Sequence, residues 1–194
     1  MSDLPPRARL PLLALGFVAL LTGVFAGLAR LGVAVDAKAA SLAGFHGPLM
    51  VAGFFGVVIS LERAVAAARL WAYAAPLACG LAGIAIFVGE PSFAAGLATL
   101  GAAILAFASF RFVAMQPEAH TMTIAAGAVA LAAGNLAWYA TGQPSAAVPA
   151  WAAFLVLTIA GERLELSRFL PRSTPVRATF VAIAVAIGAS AALA

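Results

Sequence analysis

Apolar residues in this chain come in long unbroken stretches, separated by short clusters of charge, glycine and proline. Seven apolar segments can be drawn: 10–33, 41–66, 71–89, 93–114, 119–140, 147–169 and 175–194. The breaks between them are Asp36 with Lys38, Arg69, Gly89-Glu90-Pro91-Ser92, Gln116-Pro117-Glu118, Thr141-Gly142-Gln143-Pro144-Ser145, and Pro171-Arg172-Ser173-Thr174-Pro175. A bilayer-spanning helix needs ~20 apolar residues at ~1.5 Å each, and most of these segments reach that length. The runs are continuous and do not alternate with period two, so helices are expected and a β-barrel is not. The connections are short, which predicts antiparallel packing of sequence neighbours. The expected fold is an all-α polytopic membrane protein, one seven-helix transmembrane domain over residues 1–194.

Composition agrees with the pattern. Of 194 residues, 64% are hydrophobic and 9% are charged, against roughly 25% charged in a soluble domain. No basic cluster is dense enough for nucleic acid, so the expected partner is the lipid bilayer. The single cysteine, Cys79, excludes an intramolecular disulfide and a CxxC metal site, and is expected to be a small packing residue. Segment 10–33 is too long for the ~7–15-residue core of a signal peptide, so it is expected to be a retained first helix. With the N-terminus placed in the cytoplasm of a cell (inner) membrane, Arg7, Arg9, Arg63, Arg69, Arg111, Arg163, Arg168, Arg172 and Arg177 fall inside, and Arg30 and Lys38 outside. The C-terminus is then external. Trp138, Tyr139 and Trp151 are expected at the outer interface, and Trp71 and Tyr73 at the inner one.

Segments two and six match at a spacing of 100 residues: Phe54, Ile59, Glu62 and Arg63 against Phe154, Ile159, Glu162 and Arg163. This predicts a parallel repeat of three helices, a linking helix and three more. Glu62 lies seven residues before Arg69, roughly 10 Å inside the boundary. Adjacent helical residues point about 100° apart, so a crossed arrangement is expected, Glu62 with Arg163 and Glu162 with Arg63. Glu165 and Arg168 would extend it. Such an array serves either as a clamp between two helices or as a proton or anion relay.

The only histidines are His46 and His120. At 100° per residue, Met50, Gly53, Val57, Ser60 and Ala64 share the face of His46, a face of mostly small residues with room for a neighbouring helix or a flat cofactor. Pro48 belongs in a first helical turn, placing His46 at a helix start or a kink. His120 follows Glu118 beside a loop, where interfacial solvation accounts for it.

The order His46-Gly47-Pro48-Leu49-Met50-Val51, with Gly53-Phe54 following, resembles the low-spin haem helix of heme-copper oxidase subunit I, and is similar to NnrS-type haem and copper membrane proteins. The resemblance implies an axial haem b ligand at His46, with Met50 and Gly53 beside the cofactor. Met50 lies on the same side of the iron as His46 and cannot be the sixth ligand. A five-coordinate haem, or a ligand from another protomer of a homo-oligomer or larger membrane complex, remains. His46–Met50 and Met115–His120–Met122 also suit copper as Cu(I). With two histidines, oxidase chemistry and a four-histidine cytochrome b are excluded, and the only lysine, Lys38, is misplaced for a retinal Schiff base. The expected function is haem binding for electron transfer or small-gas binding. The alternatives are a small proton- or ion-coupled transporter with a cytoplasmic Glu/Arg gate, and a structural subunit of a membrane complex.

Overall fold

The structure, a computed structural model, describes residues 3–166 together with 182, 183 and 186. Six helices in this region are long and apolar enough to cross a membrane: α1 (Pro6–Arg30), α2 (Ala43–Ala67), α3 (Leu70–Val88), α4 (Pro91–Met115), α5 (Ala119–Thr141) and α6 (Pro144–Leu166). The fold is all-helical, of the polytopic membrane type. The seventh expected segment, 175–194, falls outside the described residues apart from three positions, and Arg168 also lies outside them.

The breaks do what their chemistry predicts. Gly89 and Gly142 end α3 and α5 at φ +93° and +69°, left-handed conformations that cost glycine little. Pro91 opens α4, where a missing N–H removes nothing from the ladder. Asp36 caps the short helix Ala37–Ser41 by accepting from the backbone N–H of Lys38 and Ala39.

Each helix packs against the next, and α1 also packs on α3 and α2 on α4. Short connections make the order up-and-down, so the bundle has two ends. His46, Gly27, Phe87 and Trp151 lie toward one, and Arg63, Tyr73, Ser109, Thr121 and Glu162 toward the other. Gly47 and Arg63 of α2 meet Trp151 and Glu162 of α6 in the same order along both helices, so these two helices run parallel.

Small residues set the helix spacing. Cys79 is fully buried between Gly56 of α2 and Gly101 of α4: a methyl on Gly101 would come within 2.6 Å of its sulfur. Trp138 and Trp151, expected at the interface, are buried and meet edge-to-face at 6.1 Å, leaving Tyr139 exposed. For Trp151 the reason is hydrogen bonding. Asn135 donates to the Ala98 carbonyl at 2.9 Å and accepts from the Trp151 indole N–H at 2.8 Å, so the indole finds its partner inside the bundle. Tyr73 is likewise buried, its hydroxyl donating to Asp3 at 2.8 Å.

Candidate functional site

Helix α2 is irregular where it carries His46. A 3-10 turn, Ala43–Phe45, leads into one α-turn, His46–Pro48, and then a π-helical stretch, Leu49–Phe55, before regular α-helix resumes at Gly56–Ala67. Pro48 has no N–H to donate to a carbonyl one turn back, and the ladder widens immediately after it. His46 thus sits in the first turns of α2, ahead of a π-helical segment of a kind that often marks functional sites.

The half-buried imidazole lies against α1. Its Nδ1 is 2.7 Å from the Gly23 carbonyl oxygen. A carbonyl only accepts, so Nδ1 carries a proton, and in the neutral ring Nε2 is the nitrogen with the lone pair. The ring fits because α1 is bare there: a methyl on Gly27 would fall 2.7 Å from Nδ1 and 2.8 Å from Cε1. The same contact continues along the helices, with Gly23 against Met50, Ala19 against Gly53 and Gly16 against Val57. Of the two occupants that this small-residue face allows, it is a neighbouring helix that takes it. Asn135 and Trp138 belong to the α4–α5–α6 interior. Trp151 does reach the region, its ring 3.4 Å from where a Gly47 methyl would stand.

Arg63 is the hub of the other end. Its side chain, 11% exposed, pairs with the Glu162 carboxylate of α6, and its terminal nitrogen lies 3.6 Å from Glu62. Glu162 and Glu165 are both within electrostatic reach of Glu62. One half of the crossed arrangement is therefore present. The other is not. Arg163 is exposed and pairs with no carboxylate among the described residues, while Glu62, 57% exposed, turns to its own neighbour. The Arg63 side chain is long enough to span the angular gap between adjacent positions, which a helical wheel of Cβ directions conceals.

The guanidinium is not fully satisfied. Its buried Nε has no hydrogen-bond partner, and Arg63 lines a small cleft with Ser109, Phe112, Thr121 and Ile124. Ser109 and Thr121 were not singled out in the sequence, where a lone hydroxyl in an apolar run reads as back-bonding to its own helix. Ser109 does this, donating to Leu105 of α4, whereas Thr121, in the first turn of α5, bonds the Gln116 and Glu118 carbonyls ahead of its helix and completes a capping box with Glu118.

His120 departs from expectation. It is 4% exposed, with Nδ1 3.4 Å from Glu118 Oε2, because the first turn of α5 packs on α6 at Gly161. Met115 and Met122 are exposed, so they do not form a buried soft-donor set with it. Among the described residues no three His, Cys, Asp or Glu side chains converge as a metal site.

Just outside the spanning helices, Asp3 bonds Tyr73 and the backbone N–H of Leu4, and pairs with Arg9 at 2.7 Å. The Tyr73 hydroxyl, followed by the Leu4 N–H and the Arg9 charge, holds the Asp3 carboxyl below its usual value despite some desolvation.

Comparison with curated proteins and with solved structures returned no match. Residues 9–194, nearly the whole chain, match a family described as a domain of unknown function (DUF8744), and the chain belongs to that family.

Proposed function

We propose that this chain is an integral membrane haem-binding protein, used in electron transfer or small-gas binding, with His46 as the axial ligand. The observation that carries the reading is the His46–Gly23 hydrogen bond. Metal-ligating histidines almost always donate their second N–H to a carbonyl or carboxylate, which fixes the tautomer and raises the basicity of the ligating nitrogen. Nδ1 is taken by the Gly23 carbonyl, so a haem iron would be met by Nε2. Haem b would supply the redox couple or the gas-binding iron, and copper held by His46 and Met50 is the smaller-ion version of the same site. His46 supplies one ligand. A second ligand, if the iron takes one, would come from a second copy of the chain.

The topology belongs to the same proposal: N-terminus cytoplasmic, the His46 end external, and a seventh helix bringing the C-terminus outside. The parallel course of α2 and α6 supports taking them as corresponding helices of a 3+1+3 repeat.

The test is an absorption spectrum of protein expressed with haem supply. A Soret band that is lost in His46→Ala and kept in His120→Ala is expected. Full-length, folded protein with no Soret band and no bound copper would remove the proposal.

A second reading is favoured by the Arg63 hub. Two acidic side chains from two helices on one largely buried guanidinium form a contact that protonation would loosen, which is the chemistry of a gate in a small proton- or ion-coupled transporter. The same contact, left closed, would serve a structural subunit.

A further inference from the structure

We propose that the cleft beside Arg63 binds one ordered water molecule, which joins α2 to α4 and α5 through three hydrogen bonds. The inference stands apart from the haem and gate readings, since it follows from unmet hydrogen-bonding capacity alone.

Arg63 is 9% exposed as a residue, and its Nε–H is buried without an acceptor. A buried guanidinium N–H is a strong donor, and leaving it unpaired is unfavourable enough that native structures rarely do so. The cleft that Arg63 lines has room for about one water molecule. Its other polar walls are Ser109 and Thr121, buried residues from α4 and α5.

Both hydroxyls have already committed their protons. Ser109 Oγ donates to the Leu105 carbonyl at 2.9 Å. Thr121 Oγ1 donates toward the Gln116 and Glu118 carbonyls at 2.7 and 2.8 Å, and accepts from the Glu118 N–H at 3.2 Å. Each oxygen keeps a lone pair. The three polar residues that line the cleft thus carry one unmet donor and two oxygens with spare acceptor capacity, which a water matches by accepting from Arg63 Nε–H and donating to Ser109 and Thr121. Three bonds is the usual number for a buried water.

A halide ion would use the donor but not the acceptors, and would turn the two hydroxyl lone pairs against itself. It would also share Arg63 with Glu162 and Glu62, whose carboxylates already outnumber that one positive charge. It is larger than water as well. A neutral molecule with two protons to give is the better match.

The experiment is a high-resolution crystal structure of the full chain grown in bromide, with data collected at the bromine edge. The expected result is a single peak within about 2.7–3.2 Å of Arg63 Nε, without anomalous signal. An anomalous peak there would make the ligand a halide and overturn the proposal, as would the absence of any peak. Ser109→Ala removes one acceptor without adding bulk, so the peak should weaken or shift toward Thr121. An unchanged peak in that variant would overturn the three-bond assignment.

Discussion

The two ends of the bundle solve the same problem in opposite ways. At the His46 end a polar side chain inside an apolar helix is satisfied by the main chain of its neighbour: Nδ1 donates to the Gly23 carbonyl, and the bare Gly27 lets the ring come close. At the Arg63 end polar side chains satisfy one another across helices, with Arg63 on Glu162 and Glu62 and one nitrogen left over. The first arrangement depends on shape. The second depends on charge and leaves a surplus of carboxylate. The ends should therefore fail differently, the Arg63 end through unpaired charge and the His46 end through steric displacement.

The largest expected effect comes from Glu162→Ala. It deprives a nearly buried guanidinium of its principal partner, leaving Glu62 at 3.6 Å. Breaking a buried pair costs about 3–5 kcal/mol, and because Glu162 keeps 37% side-chain exposure a loss near about 3 kcal/mol is expected in a detergent unfolding titration. Arg163→Met, one residue on, should change stability by less than about 0.5 kcal/mol, as at most surface positions. Equal losses in the two variants would mean that the array is tied through Arg163 after all. A Glu162→Ala protein that folds normally but loses proton-coupled uptake would favour the gate.

Next comes Gly27→Ala at the other end. The added methyl would lie 2.7 Å from Nδ1 and must displace the imidazole or part α1 from α2. Overpacking of this kind costs typically about 1–3 kcal/mol. The comparison sharpens when ligand retention is read beside stability. If His46 is an axial ligand oriented by Gly23, Gly27→Ala should lose haem even in the fraction that stays folded. Haem retained at the wild-type level would show that the Gly23 contact does not orient the ligand.

Much of the fold was legible in the sequence because it rests on the longest-range regularity in the chain, the lengths of the apolar runs. Six of those runs are helices close to the expected positions. What was illegible depended on directions. The wheel that set Glu62 apart from Arg63 ignored the reach of a long side chain. The wheel drawn through His46 assumed regular α-helix across Leu49–Phe55, which is π-helical. The occupant of the small-residue face was written in α1, where Gly16, Ala19, Gly23 and Gly27 recur at helical spacing. Those residues face α2, and reading them together with it would have placed His46 on a helix and not on an open slot. Trp138 and Trp151 look like interface residues until Asn135 is recognised as the one amide inside these apolar runs, in need of partners. His120 was misplaced because a loop nearby in sequence does not ensure solvent when the next helix packs over it.

The smallest effect should come from the clasp at the Arg63 end, and it isolates a charge contribution outside the spanning helices. Asp3 accepts from Tyr73 and pairs with Arg9, tying the start of the described chain to α3. Its carboxyl is held below the ordinary value, so the folded state favours the ionised form more than the unfolded state does. The sign follows by linkage. The contribution is fully present above the unfolded carboxyl value, near pH ~4, and is lost as pH falls through the lower folded value. Thermal stability measured from pH 7 downward should therefore be flat for this group until about pH 4 and decline below it. Asp3→Asn should remove that part of the decline while leaving the Glu162→Ala effect untouched at neutral pH. The decline should be slight, because Asp3 is solvent-accessible and salt screens its attraction to Arg9. If Asp3→Asn left the acid limb of the curve unchanged, the acid sensitivity would belong to the carboxylates around Arg63, and the charge contribution to stability at this end would lie wholly within the bundle.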